Sequence, residues 1–494
     1  MQLPRTCLIA LSILLTLPLR GAGLVIPEWD PGYRGEIPEV PVAVEVDAAA
    51  IESRGHEAIQ EAIDSVDAPG AVLLPEGVFE LHGAIALRSG VVLRGAGASR
   101  THLKFHSLPG DSFDGAFQPA FGSIRLSGKR RSREYPIRNG FKRGSRELTL
   151  EDPDGLEPGQ MILVFSENDP ELMYTDERWN VSWAAQSLAQ IVEITAVEGD
   201  RIRLDVPLRL TYKEALRPRI LVIEPIRDAG IEDLKIENLD PDGDNIIGVE
   251  NARNCWVRRC ETVFTSRGHV WLNFSRFITI SGNEMHHSFN YGGGGRGYGM
   301  VAGNVSTDCL FTDNILHHLR HAMMAKRGSS GNVFSYNYSF ERRRDPEGDS
   351  LLCDISIHGH YSYQNLFEGN VVEFIELADY WGPTGPRTTF LRNQVQTRIS
   401  IQDHSDGSVF LGNYIVEGGF ETDGTSTGLV FAGNRTGNGD SLPSSLEVRD
   451  VPDSAYRTTP PANWGSLPWP VLGPDEPEAP LIPAQRRWIR RQEH

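Results

Sequence analysis

Short apolar strands separated by polar corners recur through the second half of the chain on a nearly fixed period. Asparagines close these strands at Asn283, Asn314, Asn337, Asn370, Asn393, Asn413 and Asn434, and Cys260 holds the equivalent earlier place. The steps are 23, 31, 23, 33, 23, 20 and 21 residues, so the repeating unit is a coil of roughly 22 residues with two insertions of about ten. Three residues before each corner stand Val257, Ile280, Phe311, Phe334, Phe367, Phe390, Phe410 and Phe431; five before stand Cys255, Ile278, Cys309, Asn332, Asn365, Thr388, Ser408 and Leu429. Positions two apart share a strand face. The phenylalanines therefore point inward and are expected to form a stack of six rings. The pattern predicts an all-β chain, a single-stranded right-handed parallel β-helix with coils about 4.8 Å apart. Asparagine tolerates left-handed backbone at such corners and can bond coil to coil. Leucine-rich repeats need closer leucines and propellers need longer blades.

The N-terminal third prepares this solenoid. Met1 to Gly23 reads as a secretory leader, with Arg5 before a short apolar core, Cys7 to Pro18, too short to span a bilayer. Val25 to Val42 is proline-rich and extended, as a strap over the first coil would be. Gly55 to Ser65 carries Ala58, Ile59, Ala62 and Ile63 on one helical face. Strand-like pieces follow at Ala71–Pro75, Val78–Leu81, Ile85–Leu87 and Val91–Leu93, ending in Leu93-Arg94-Gly95-Ala96-Gly97. This run resembles the pectin-lyase-like superfamily of parallel β-helices. That resemblance implies that the helix caps the open end of the solenoid, where edge strands need cover, and it carries little about activity.

Ser107 to Glu147 breaks the rhythm. Nine basic residues between Arg125 and Arg146 face one acid, Glu134, which predicts a loop, either solvated or gripping a polyanion. Glu147 to Leu210 reads as a small β insertion, and from Gly230 the coils resume. The expected division is 1–23 leader, 24–106 strap, capping helix and first coils, 107–215 basic loop and β insertion, 216–440 main coils, and 441–494 an extended tail.

Composition narrows the function. The net charge is −18, and removing the two basic residues of the leader gives 46 − 66 = −20. That argues against nucleic acid and anionic membranes, while a local basic groove remains compatible with an acidic sugar polymer; no stretch after the leader reaches spanning length, so no membrane insertion is expected. The chain is expected to be a secreted or periplasmic monomer. Cys255 and Cys309 fall two coils apart, about 9.6 Å, beyond disulfide reach, so the four remaining cysteines read mostly as buried thiols.

Eight of fourteen histidines fall between His269 and His360. One band follows the corner asparagines: His286-His287 and His317-His318 sit in neighbouring coils. One imidazole of each pair is expected to point out and stack on the other. The readings are a structural stack, substrate binding at His318, or a zinc or copper site that lacks an obvious carboxylate. A second band precedes the asparagines. It places Lys326 and Arg327 in one coil, His358, His360 and Tyr361 in the next, then Asp379, Tyr380 and Trp381, then Asp403 and His404, with Arg320 and His321 leading in. The glycine-rich Tyr291 to Gly299 lacks the context of a phosphate loop. It reads as a groove-edge loop offering Tyr291, Arg296 and Tyr298.

Three functions fit. A polysaccharide lyase, or an epimerase sharing its residues, would neutralise a uronate carboxylate with Lys326, Arg327 and Arg320. It would abstract the C5 proton with His358 or His360 and protonate the leaving oxygen with Tyr380 or Tyr361. The resemblance raises calcium as a neutralising ion, but no acidic cluster stands out to hold it, so no cofactor is assigned. A glycoside hydrolase would need two carboxylates: Asp379 with Asp403, or Asp354 or Glu376 in their place. A non-catalytic carbohydrate-binding β-helix would use Tyr361, Trp381 and the tyrosine-bearing loops alone.

Overall fold

A computed structural model describes residues 26–106, 122–241, 243–346, 348, 350–439, 451–470, 472–473 and 481–493; the leader read at Met1 to Gly23 lies outside them. Coils wind through three parallel strand stacks. One stack is a twelve-stranded sheet running from Val42–Glu45 to Val430–Ala432. The other two belong to a nineteen-stranded sheet, joined where the long strands Val371–Ala378 and Gln394–Ile401 turn from one face into the next.

The six predicted phenylalanines stack inside the solenoid. Successive centroids from Phe311 to Phe431 lie 4.3, 4.8, 5.2, 5.0 and 5.3 Å apart with nearly parallel rings. The corner asparagines form an unbroken amide chain. Each Nδ2 donates to the Oδ1 of the next coil's asparagine, at 2.9 to 3.0 Å from Asn283 through Asn434. The same Nδ2 donates to a strand carbonyl of the preceding coil, as Asn370 does to Phe334. The left-handed residue is not the asparagine, however, but the one before it: Arg259, Gly282, Asp313, Tyr336, Gly369, Arg392, Gly412 and Gly433 all have φ between 52° and 67°. The asparagine is chosen for its amide, not for its backbone. A second, shorter ladder runs from Cys309 N–H to Asn332 and on to Asn365. All four described cysteines are free and buried.

The ends differ from expectation. The helix His56–Ser65 forms as predicted, and a second helix, Ala48–Arg54, precedes it. The N-terminal strap is not confined to the first coil but runs along the axis. Trp29 donates to the Gln364 carbonyl, Gly32 to Asp308, and Tyr33 to Thr279 before Val42 pairs with Ala71. The C-terminal tail is not simply extended either. It returns along the coils and ends in the helix Pro483–Gln492, whose Arg487 binds Asp313 at 2.7 Å.

The stretch read as a basic loop is β structure. Gly122–Ser127 joins the solenoid, and Lys129–Asn139 enters a closed antiparallel barrel with Glu147–Leu150, Met161–Phe165, Ala189–Glu198, Arg201–Leu204 and Arg219–Glu224. Its charges are spent on pairs such as Arg131–Glu224, Arg133–Asp152 and Glu134–Arg219. One barrel face buries Met161, Leu163, Phe165, Ile191 and Ile223 with Phe274 and Val305 of the coils. Arg276, fully buried, bonds both Asp205 of the barrel and Asp308 of the next coil. No helix among the described residues is long and apolar enough to cross a membrane.

Replacing Asn370 by alanine removes the acceptor of the Asn337 N–H and the donor to the Phe334 carbonyl. Each orphaned buried group costs about 1–3 kcal/mol. Asn370→Ala is expected to lower unfolding free energy by about 2–4 kcal/mol in urea titration; an unchanged midpoint would remove the amide chain from the account of stability.

Candidate functional site

The third strand stack carries an outward-facing cleft of about 620 Å³. Its floor follows from strand alternation. Val270, Leu272, Met300, Ala302, Met323, Ala325, Ile355, Ile357, Ile375 and Leu377 face the core. Their neighbours Trp271, Ser356, Glu376 and, at the strand ends, Lys326 and His358 face out. The pairings Ala325 with Ile357 and His358 with Ala378 put Lys326, His358 and Ala378 side by side.

Lys326 lies over the Trp271 ring at 4.2 Å and over Tyr298 at 5.4 Å. Arg267 covers Trp271 at 4.8 Å while meeting Asp244 at 3.3 Å. Burial, then the Arg267, Arg327 and Arg320 guanidiniums, hold the Lys326 ammonium well below its ordinary pKa. His358 is 8% exposed; its Nδ1 shares a proton with Ser356 Oγ at 2.8 Å. Burial and the Lys326 and Arg320 charges push its pKa down to about 3, so it stands neutral, with Nε2 left for the cleft. Glu376, one coil on, accepts from Gln402, and burial raises its pKa to about 7.

The barrel closes one end of the cleft. Between two of its strands run three short helical turns, Pro170–Met173, Glu177–Trp179 and Ser182–Ala184. Asn168 ties them down by donating to Ala184 and accepting from Ser187 N–H. Gly328 allows the approach: a Cβ there would meet the Ser187 carbonyl at 2.1 Å, and φ is +69°. The turns bring Trp179 and Trp183 onto the coils. Trp183 meets Trp381 at 5.3 Å and His360 at 4.9 Å, and Trp179 meets Tyr380 at 5.4 Å. Sequence reasoning missed both tryptophans. The one signal was the string Arg178-Trp179-Asn180-Val181-Ser182-Trp183, whose aromatics sit in an otherwise polar connection.

Of the residues expected in the second band, the cleft lining contains Arg320, His321, Lys326, Arg327, His358, His360, Tyr380 and Trp381. Three are committed to the framework rather than free for a ligand. Arg320 donates to the carbonyls of Arg296 and Leu351 and to His321 Nε2, so it pins both loops at the cleft rim. His321 has its other nitrogen on the Cys353 carbonyl, and His360 Nε2 bonds Trp179 O. Asp379 and Asp403 are not an acid pair in the cleft. Asp379 meets His404 at 3.0 Å and Asp403 accepts from Thr425 N–H, both outside the lining. The reason is register: Ala378, not Asp379, aligns with His358, and a shift of one residue turns a side chain to the other face. Tyr361 packs against the barrel core and His318 lies on another face of the solenoid. Asp354 is structural, accepting from Ser339 and from the backbone of Glu373 and Phe374. Of the glycine-rich segment, Gly293 to Gly295 and Tyr298 line the cleft, and Tyr298 stacks on Trp271 at 5.8 Å. Tyr291 instead accepts from Ser288 N–H.

The fold defines the class: this chain is a right-handed parallel β-helix. No protein-family profile matches it, and no curated protein matches it in sequence. Among solved structures it is similar to the tailspike protein gp49 from Pseudomonas phage LKA1, at a TM-score of 0.54 and 14% identity, covering 77% of this chain and 69% of that one. It is equally similar to the gp54 tailspike of Acinetobacter baumannii bacteriophage AP22, at 0.54 and 11% identity, covering 80% and 71%. The gp54 structure was solved in complex with capsular saccharide.

Glu376 makes a pH signature. The folded protein holds its proton more tightly than the unfolded chain does, since the pKa rises from 4.5 to about 7. Its stabilising contribution is therefore complete below about pH 4.5 and is lost as pH rises through 7. Glu376→Gln is expected to flatten the decline in stability over that window in melts at successive pH values. An identical profile in both proteins would mean Glu376 is not perturbed.

Proposed function

We propose that this protein acts on an acidic polysaccharide and cleaves it by β-elimination in the cleft. The supporting observation is the charge pattern. Among the described residues the lining carries Arg267, Arg320, Lys326 and Arg327 against Asp244 and Glu376. Glu376 keeps its proton to about pH 7. This basic groove lies in a chain of net charge −18, so it selects a polyanion locally. Trp183, Trp381 and Tyr380, exposed or half-buried, add ring faces of the kind that stack on sugars. The gp54 tailspike, of the same fold, was solved in complex with a capsular saccharide, which supports a saccharide ligand.

Elimination needs three things. A uronate carboxylate must be neutralised so that its C5 proton becomes acidic, and Lys326 with Arg327 suits that role. A base must take the proton: His358, kept neutral first by burial and then by the Lys326 and Arg320 charges, presents Nε2 to the cleft. The proton passes from C5 to Nε2, the C4–O bond breaks, and a C4=C5 double bond forms. An acid must then meet the leaving oxygen, and Glu376, protonated near neutrality on the adjacent coil, takes the place earlier expected of Tyr380 or Tyr361. Two-carboxylate hydrolysis is less well served. Glu376 and Asp244 are separated by five coil steps along the pairings of Asn245–Glu250, Gly268–Asn273, Tyr298–Ala302, His321–Ala325, Ile355–His358 and Val371–Ala378. That is roughly 24 Å at 4.8 Å per coil, beyond the span of ~5–9.5 Å that such a pair works across.

Incubation with alginate, pectate and neutral glycans tests the reading. Ultraviolet absorbance from unsaturated uronate is expected with a polyuronate. Reducing sugar without that absorbance would replace elimination by hydrolysis. His358→Ala and Lys326→Ala are each expected to lower turnover at least ~10²-fold with the circular dichroism unchanged; full activity in both would move the chemistry elsewhere.

A further inference from the structure

On the neighbouring face of the solenoid, away from the cleft, four imidazoles stand in two tiers. His286 stacks on His317 at 4.8 Å and His287 on His318 at 4.3 Å. Strand alternation would send only one of each pair outward, but His287 and His318 have φ of 62° and 54°, and this left-handed step turns both rings to the same side. Within each coil the two Nδ1 atoms face each other, at 2.8 Å for His286 with His287 and 2.7 Å for His317 with His318.

The carboxylates absent from the sequence reading are present, and they sit on the opposite nitrogens. Glu284 Oε1 lies 3.4 Å from His317 Nε2, Glu261 Oε1 3.5 Å from His286 Nε2, and Glu341 Oε2 3.0 Å from His318 Nε2. The outer oxygens of Glu261 and Glu284 are gripped by Arg491 from the C-terminal helix, and Lys235 holds Glu261 at 2.7 Å. Trp488 of that helix covers His317 at 4.9 Å.

The facing Nδ1 atoms of His317 and His318 are the decisive feature. A carboxylate beside each Nε2 orients the two rings so that their Nδ1 atoms converge, 2.7 Å apart, on one point. Carboxylate-oriented imidazole is also the arrangement in which histidines hold metals. One ring nitrogen from each of His287, His317 and His318 lies within 4.8 Å of the others. Ligands at about 2.0–2.1 Å from a tetrahedral ion lie about 3.3 Å apart, so the pair needs to open by about 0.6 Å from its 2.7 Å separation.

We propose that His287, His317 and His318 form a binding site for a divalent transition-metal ion of the zinc and copper class, with Glu284 and Glu341 fixing the ring tautomers and the C-terminal helix as its cover. The donor set is nitrogen, which suits these ions and not calcium or magnesium. The site is separate from the cleft and does not rest on the reading of its activity.

The test uses the full chain, stripped with a chelator and titrated calorimetrically with zinc chloride, copper chloride and calcium chloride. One equivalent of zinc or copper is expected to bind, with no competition from calcium. His287→Gln/His318→Gln, both partly exposed, should lose that equivalent while keeping the wild-type circular dichroism. Glu341→Gln should weaken it ~10-fold or more without supplying or removing a ligand atom. Failure of zinc and copper to bind, displacement by calcium, or undiminished binding in the double variant would each overturn the proposal; the first would leave the facing nitrogens holding a shared proton.

Discussion

The structure hangs on one interaction, the bond from each corner asparagine to the asparagine one coil away. Each amide closes a strand, accepts the backbone N–H of the preceding corner and donates to a strand carbonyl inside the solenoid. Buried amides tolerate no lapse in this accounting, because an orphaned group costs more than a satisfied one contributes. The chain must therefore return to the same register every coil. The phenylalanine stack fills the interior only if that return is kept, since its rings are spaced by the coil rise and not by their own preference.

That constraint decides where variation is allowed. Extra residues cannot enter the strands, so they leave at the corners. The two longest steps between corner asparagines, Asn283 to Asn314 and Asn337 to Asn370, carry the segments that rise at the cleft rim, with Gly293 to Gly295 in one and Ser350 and Leu351 in the other. Arg320 bonds the backbone of both. The barrel obeys the same rule on a larger scale: it departs after Gly122–Ser127, returns before Gly230–Glu232, and leaves pairing intact, since Leu93 aligns directly with Ile231. Its seam joins the apolar contact with Phe274 and Val305 to an ionic group in which Arg276 and Asp308 are buried and Arg209 is half-buried. Charges so buried are held in place by the cost of parting them, which makes the barrel a fixed wall of the cleft.

The solenoid was legible because its signal is periodic. Phe311 to Phe431 and Asn283 to Asn434 report the same coil length independently, and an interior that repeats leaves its period in the sequence. The cleft was legible only to within a residue. Counting from the asparagines carried Lys326 and His358 to adjacent positions, but His358 pairs with Ala378, and Ala378 follows Leu377 in line with Ile401, which leaves Asp379 and Asp403 one residue past the outward row and Glu376 within it. Trp179 and Trp183 could not be reached by that ruler, because the barrel has no repeat to count. The basic run from Arg125 misled for a related reason. Charge spacing does not distinguish a solvated loop from the exposed face of a barrel strand, where each charge finds its partner across the ladder.

The two histidine-bearing faces show how one scaffold separates two kinds of chemistry. Both present imidazoles on strands of consecutive coils, so the backbone supplies the same spacing to each. In the cleft, burial, with the Lys326 and Arg320 charges beside it, holds His358 neutral, and the lining carries more basic than acidic side chains. On the other face the neighbours are Glu261, Glu284 and Glu341; Arg491 holds the outer oxygens of Glu261 and Glu284, and Lys235 shares with His286 the inner oxygen of Glu261. Identical side chains at similar spacing are thus given different surroundings by the residues of the neighbouring coils and by the helix that returns to cover one face and not the other.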